Sequence, residues 1–218
     1  YIIRRYPKIL VGYSDITALQ LAIWKMSGLV TFSGPMLATE FGLQPSDFTL
    51  KQFYKAVTSF QPLGHVPVAP GVKTGVIYPG RARGRLIGGN LSLVTATLGT
   101  PYEIDTRGAI LFLEEVGEQP YRVDRMLHQL FLAGKLHGAA GVIFGEFINC
   151  EAEDNNGSFT CREVISDIFT RLKIPCFYGL GPGHGTHKVT LPLGVKAEMD
   201  AGKCLLVINE PATVSPAR

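Results

Sequence analysis

Long apolar runs are missing from this sequence. No stretch reaches membrane-spanning length, which argues against a transmembrane helix and against the membrane as a partner. Cysteine is scarce. The four present, Cys150, Cys161, Cys176 and Cys204, form no C-x-x-C pair, which excludes a disulfide scaffold and a zinc-ribbon site. Their scatter fits reduced, mostly buried thiols in a cytoplasmic protein, with a local Cys150–Cys161 disulfide across a polar loop as the lesser alternative. An excess of one charge is also lacking: 21 Lys and Arg stand against 18 Asp and Glu, without runs. With no basic stripe and no interleaved aromatics, nucleic acid is excluded as a partner. No signal peptide is visible, and the chain opens at Tyr1 rather than Met, so any leader would lie upstream.

What is present suits a globular protein of one large or two small domains, with 46% hydrophobic residues and ample core material. Lys8-Ile9-Leu10-Val11 reads as a short strand, and Ile16 to Met26 as a helix with Ile16, Leu19, Ala22 or Ile23, and Met26 on its apolar side. Thr31-Phe32 predicts a second strand. A helix over about Thr49–Ser59 follows, with Phe53, Tyr54 and Val57 inward. Residues 61–82 are rich in Pro and Gly and read as a linker holding a short strand near Lys73–Tyr78. Beyond them come a strand from Arg83 to the Gly88-Gly89-Asn90 turn, a helix over Leu91–Leu98 and an apolar central strand over Ala109–Leu113. A helix over Tyr121–Leu132, a strand over Ala140–Phe144, a helix over Cys161–Leu172 and a strand over Cys176–Tyr178 continue the alternation. Val189 to Asn209 reads as three short strands. The pattern predicts an α/β fold with a β-rich end. It divides into a nucleophile-bearing remainder of a first domain (1–60), the linker (61–82) and a second domain (83–218). The first domain reads as incomplete, because its opening strand has only Thr31-Phe32 nearby to pair with.

Gly12-Tyr13-Ser14-Asp15 lies at the junction of strand and helix. A serine there is lifted on a sharp turn beside the free N–H groups of a new helix, the geometry of a nucleophile elbow. Two plainer uses compete: Ser14 or Asp15 as a helix cap, and the helix start as a phosphate site. A nucleophilic serine needs a base, and the base an orienting acid. Of the five histidines, His65, His128 and His137 fall in contexts that suit surface or structural roles. His184 and His187 sit in the glycine-rich run Gly179–His187 after a strand, where a chain can turn sharply and carry a base into a cleft. A metal at His184 and His187 is disfavoured, because no nearby carboxylate completes a ligand set. Glu114 and Glu115 close the strongest apolar strand. Its carboxyl end faces the crevice of an open α/β sheet, and strand alternation lets only one of the two point there.

Four ordered blocks then stand out: Gly12-Tyr13-Ser14-Asp15-Ile16-Thr17-Ala18-Leu19, Gly88-Gly89-Asn90-Leu91, Leu111-Phe112-Leu113-Glu114-Glu115, and Gly183-His184 with Leu191-Pro192-Leu193-Gly194. Together they resemble the LD-carboxypeptidase family of serine peptidases, family S66, which includes muramoyltetrapeptide carboxypeptidases and the microcin C immunity peptidase. The resemblance implies a Rossmann-like first domain and a second α/β domain with a swivelling or barrel-like end. It implies Ser14 as nucleophile, Glu114 as the acid orienting the base, His184 as the base and Asn90 as a substrate-lining residue. The backbone N–H of Asp15 supplies one oxyanion donor. The family's early glycine-rich turn, which helps build the oxyanion hole, precedes the elbow and is not in this sequence. The implied reaction needs neither cofactor nor metal. The implied substrate is a murein tetrapeptide whose terminal D-Ala follows an L-configured lysine or diaminopimelate. Arg83, Arg85 and Arg122 are candidates to meet its terminal carboxylate. A peptidase of aminoacyl- or peptidyl-nucleotide toxins and a binding module without chemistry are the alternatives. A cytoplasmic homodimer is also implied. The apolar face of Tyr121–Leu132 is available to it, although core packing is the more ordinary use of such a face.

Overall fold

The computed structural model describes residues 2–152, 157–181 and 183–215. Pro182 of the glycine-rich loop lies outside the described residues. The chain opens with α1 (Ile2–Arg5), β1 (Val11–Gly12), α2 (Ile16–Ser27), β2 (Thr31–Ser33) and α3 (Asp47–Thr58). β3 (Gly64–His65), β4 (Gly75–Tyr78), β5 (Arg81–Asn90) and α4 (Leu91–Ala96) follow. Next come β6 (Ile110–Val116), α5 (Pro120–Leu132), α6 (Lys135–Gly138), β7 (Gly141–Ile148), α7 (Cys161–Leu172) and β8 (Cys176–Tyr178). β9 (Leu191–Leu193), β10 (Lys196–Asp200) and β11 (Leu205–Ile208) end the series.

The expected α/β architecture is present as two sheets. A three-stranded sheet runs β1-β2-β9, and an eight-stranded sheet runs β3-β11-β10-β5-β6-β7-β8-β4. Strands β5, β6, β7 and β8 are mutually parallel, so their carboxyl ends share one edge. The β-rich end extends this sheet: β10 pairs antiparallel with β5, and β11 with β10. No barrel closes among the described residues. β3 and β4, from the Pro/Gly-rich stretch, join the same sheet at its two edges. β9 crosses to the first sheet and pairs antiparallel with β2. Main-chain bonds between Leu86 and Val195 and between Gly194 and Leu86, at 2.8 and 2.7 Å, fasten that crossing to β5.

The core divides around the parallel strands. Leu111, Leu113, Val142 and Phe144 turn to the α4, α5 and α7 side, while Leu86, Ile110, Phe112, Ile143 and Phe177 turn to the β9–β11 side. Such all-buried strands are what a parallel sheet covered on both faces requires. On α5, Val123, Leu127 and Leu130 are fully buried, so core packing takes its apolar stripe. α7 begins at Thr160, whose hydroxyl accepts from the Glu163 N–H while Glu163 accepts from the Thr160 N–H, a complete capping box.

Three expectations are corrected. The strand expected over Lys8–Val11 shortens to Val11–Gly12, because only these residues find a partner in β2. On α2 the buried residues are Thr17, Gln20 and Leu21, whereas Leu19 and Met26 are exposed. Gln20 turns inward because its amide donates to the carbonyls of Gly12 and Phe32 at 3.0 and 2.8 Å, tying helix to strands where a hydrocarbon could not. On α3 Tyr54 faces solvent, and Thr49 and Ala56 are buried instead. All four cysteines are unbridged, and the Cys161 thiol donates to the Cys150 carbonyl at 2.8 Å. No helix among the described residues is long and apolar enough to cross a membrane.

Candidate active site

Between β1 and α2 the backbone reverses through Tyr13-Ser14-Asp15. The N–H groups of Ile16 and Thr17 donate to the Tyr13 and Ser14 carbonyls at 3.2 and 2.9 Å. Ser14 has φ 56°, in the left-handed region, although it is not glycine. Such a residue carries strain on the order of 1–2 kcal/mol, which persists only where the surroundings fix it. Asp15 occupies the N-cap position of α2 and makes no side-chain cap bond. The Ser14 hydroxyl has no hydrogen-bond partner among the described residues, and Ser14 is half-buried. The cap reading therefore fails for both residues, and the Ser14 side chain is left free at a strained turn.

At the shared strand edge, Glu114 and Glu115 end β6 and are 1% and 2% exposed. Alternation sends them to opposite faces. Glu114 Oε2 lies 2.9 Å from His184 Nδ1 in the loop after β8. Its other oxygen, Oε1, is buried without a partner among the described residues. Glu115 is fully occupied: Oε1 accepts from Asn90 Nδ2 and the Val116 N–H at 2.8 and 3.0 Å, and Oε2 from the Ser92 N–H and hydroxyl at 2.8 and 2.7 Å. The pair thus separates into an acid that faces a histidine and one that ties β6 to α4.

Gly183 permits the first contact. Its φ is +128°, and a Cβ there would lie 2.8 Å from Glu114 Oε2. Gly89 permits a second approach, because at φ +145° its Cα presses on Thr17, whose hydroxyl accepts from the Asn90 N–H at 3.0 Å. The Gly-Gly-Asn block is thereby held against the elbow helix. Asn90 itself is 2% exposed; its Oδ1 caps α4 at the Leu93 N–H, 3.2 Å away, and its amide donates to Glu115.

The elbow and the histidine meet through Tyr13. Its ring stands edge-on to the His184 ring with centroids 4.9 Å apart. The Tyr13 hydroxyl donates to Glu40 Oε1 at 2.8 Å. Burial, opposed by a bond to Thr39 and reinforced by Glu40, pushes the phenol up to about 12. Burial would raise Glu40, but bonds from Thr39, the Met36 N–H and Tyr13, with the charge of Lys188, hold it below the usual carboxylate value. Lys188 is 2% exposed and reaches Glu40 Oε1 at 3.3 Å. Glu146, at the end of β7, lies so close under the loop that a Cβ at Gly185 would collide with its carboxylate. Burial raises its pKa, against the charges of Lys188 and His187. Glu146 also lines a cavity of about 290 Å³ with Phe144, Phe147, Arg162 and Tyr178.

The remaining candidates lie apart from this cluster or are engaged elsewhere. His187 Nδ1 bonds Ser46 at 2.9 Å; His65, His128 and His137 are exposed. Arg83 and Arg85 occupy the early part of β5, away from its Asn90 end, and pair with Glu198 and Glu210 at 3.1 Å each. Arg122 starts α5, just beyond the carboxyl end of β6, and pairs with Glu118 at 3.2 Å. Lys188, Glu40 and Glu146 were not singled out from sequence, and Tyr13 entered only as part of the elbow block, with no role of its own. Of the first three, only Lys188 left a trace there, as a charge between His187 and the apolar run from Val189 to Leu193. No cluster of three or more metal-ligating side chains occurs among the described residues.

Comparison with known proteins shows the family and the fold. A family model for the LD-carboxypeptidase C-terminal domain matches residues 83–199, and one for the LD-carboxypeptidase N-terminal domain matches residues 1–34. The probable murein peptide carboxypeptidase of Bacillus subtilis (strain 168) is 43% identical over 95% of this chain and 65% of its own length. The chain therefore spans less than two thirds of that relative. The crystal structure of muramoyltetrapeptide carboxypeptidase from Oxalobacter formigenes is 33% identical with a TM-score of 0.83, over 96% of this chain and 72% of that one. The wild-type apo structure of the microcin C7 self-immunity protein MccF is 28% identical with a TM-score of 0.87, over 97% and 70%. MccF from Escherichia coli is 29% identical over 91% of this chain and 66% of its own length.

Proposed function

Because this chain belongs to the LD-carboxypeptidase family, we propose that it is part of a serine carboxypeptidase that releases a terminal D-amino acid from a murein tetrapeptide. The observation that carries the reading is the buried Glu114 carboxylate 2.9 Å from His184 Nδ1, beside the elbow bearing Ser14. Glu114 keeps the proton on Nδ1 and turns Nε2 to the serine. His184 takes the Ser14 proton as the hydroxyl attacks the amide carbonyl. The Asp15 N–H, at a helix start whose first donors lack intrahelical acceptors, holds one side of the oxyanion. The terminal residue leaves with the proton from His184, and water, activated by the same base, hydrolyses the acyl-enzyme. Asn90 serves the substrate site by holding its floor, through α4 and Glu115. Of the three arginine candidates for the substrate carboxylate, Arg122 follows the carboxyl end of β6, whereas Arg83 and Arg85 lie at the other end of β5. The division into residues 1–60, 61–82 and 83–218, which rests on the Pro/Gly-rich stretch, the cytoplasmic location, which rests on the scattered cysteines, and the homodimer, which rests on the family resemblance, belong to the same reading.

A tetrapeptide ending in D-Ala, incubated with the protein, should yield free D-Ala, detected chirally, and a fluorophosphonate should label Ser14. Labelling that survives Ser14→Ala would sink the triad. The likeness to MccF gives the second reading its weight: cleavage of an aminoacyl sulfamoyl adenosine without cleavage of the tetrapeptide would favour a toxin-cleaving peptidase.

A further inference from the structure

We propose that Lys188 is a positioning residue, an ammonium clamp that fixes the His184 loop against the Ser14 elbow; the inference rests on the Ser14–Glu114–His184 reading above. The loop from Gly179 to Gly185 is rich in glycine, so local backbone preference does little to hold the base in place. Lys188 supplies what the loop lacks. Its Nζ donates to the carbonyls of Gly183 and Gly185, the two residues flanking His184, the latter at 3.1 Å. It also meets Glu40 Oε1 at 3.3 Å and lies 4.3 Å from the centroid of the Tyr13 ring. An ammonium has three N–H donors, and two carbonyls and a carboxylate use them all. The Lys188 N–H donates to Thr49 Oγ1 at 2.9 Å, so its own backbone is anchored to α3.

These contacts close a ring. Glu40 accepts from the Tyr13 hydroxyl, Tyr13 immediately precedes Ser14, and the Tyr13 ring abuts His184. The cation thus ties the base-bearing loop to the residue before the nucleophile from both sides. A buried ammonium is tolerated only when paired and hydrogen-bonded, as here. A neutral replacement would leave the two carbonyls without their donor and the Glu40 carboxylate without its cation. Lys188 touches neither Ser14 nor the His184 ring nitrogens, so it acts through the loop.

The test is Lys188→Met, read by kinetics on the tetrapeptide and by amide hydrogen exchange. Misplacing a base by about an ångström costs about 100-fold, so kcat should fall about 10- to 100-fold with KM within about threefold. Exchange of the amides at positions 188 and 189, which donate to Thr49 Oγ1 and the Gly181 carbonyl, should accelerate at least about tenfold in a protein whose core amides stay protected. Should Lys188→Met fail to fold, Glu40→Gln keeps the shape, removes the counter-charge and is read the same way, with a smaller shift in the same direction. Loop exchange and kcat within about twofold of the unaltered protein, in whichever variant folds, would overturn the clamp. If the unaltered protein releases no D-Ala, the peptidase reading fails separately, while the loop exchange still decides the clamp.

Discussion

Glu114 and Glu115 are adjacent, equally buried and differently employed. Glu115 meets four donors, whereas Glu114 meets one imidazole and leaves an oxygen unpaired among the described residues. Their substitutions should separate accordingly. Glu115→Gln removes a charged acceptor from Ser92 and should lower the unfolding free energy by about 1–3 kcal/mol in urea denaturation. Glu114→Gln relieves a buried charge and should leave the urea midpoint unchanged or raised, while kcat falls roughly 10³- to 10⁴-fold, as when the acid of a Ser-His-acid triad is neutralised. The opposite assignment, with activity lost mainly in Glu115→Gln, would exchange their roles. Strand alternation made it legible that only one of the pair faces the crevice. Which one does so depends on where β8 delivers its loop, and that distance is not written in the neighbourhood of either residue.

At the scale of elements, the elbow shows strain kept for use. Ser14 at φ 56° sits where glycine would be comfortable. Ser14→Gly should be more stable than Ser14→Ala by up to about 1 kcal/mol in urea denaturation, since alanine keeps the steric conflict and glycine removes it. Both should lose fluorophosphonate labelling. Equal stabilities would mean that the turn relaxes in the variants and stores nothing. The elements themselves were largely readable: α7 spans Cys161–Leu172, the bounds expected from sequence, and β6 and β7 follow their apolar runs. The inward face of α2 was not readable, because polar Gln20 and Thr17 are buried by bonds to other segments, and periodicity counts only apolar residues.

Over the whole molecule, the Lys188–Glu40–Tyr13 contacts join the first sheet's elbow to the second sheet's edge, and they carry a pH signature. Glu40 is held below its ordinary value, and Asp105, bonded to Arg107, is held at about 2. A depressed carboxylate stabilises above its unfolded pKa and loses that contribution as pH falls through the folded one. The urea midpoint should therefore decline on acidification from about pH 4 toward 2. Tyr13 runs the other way: its phenol rises from 10 to about 12, so its contribution is complete below pH 10 and is lost as pH climbs toward 12. The alkaline decline of the urea midpoint should be shallower in Tyr13→Phe. An identical decline in both proteins would remove Tyr13 from the account.

The sequence by itself determined the elements, the α/β class and the identity of Ser14, Glu114 and His184 as a candidate set, because apolar periodicity and turn residues are local properties and the ordered blocks survive as strings. Tertiary structure decided what locality cannot: that Glu115 and Asn90 bind each other, that Gln20 turns inward, and that Lys188 grips the loop of His184. Each of these depends on a hydrogen bond or ion pair between segments distant in the chain. The energy of a buried polar group lies in its partner, and only the fold supplies the partner.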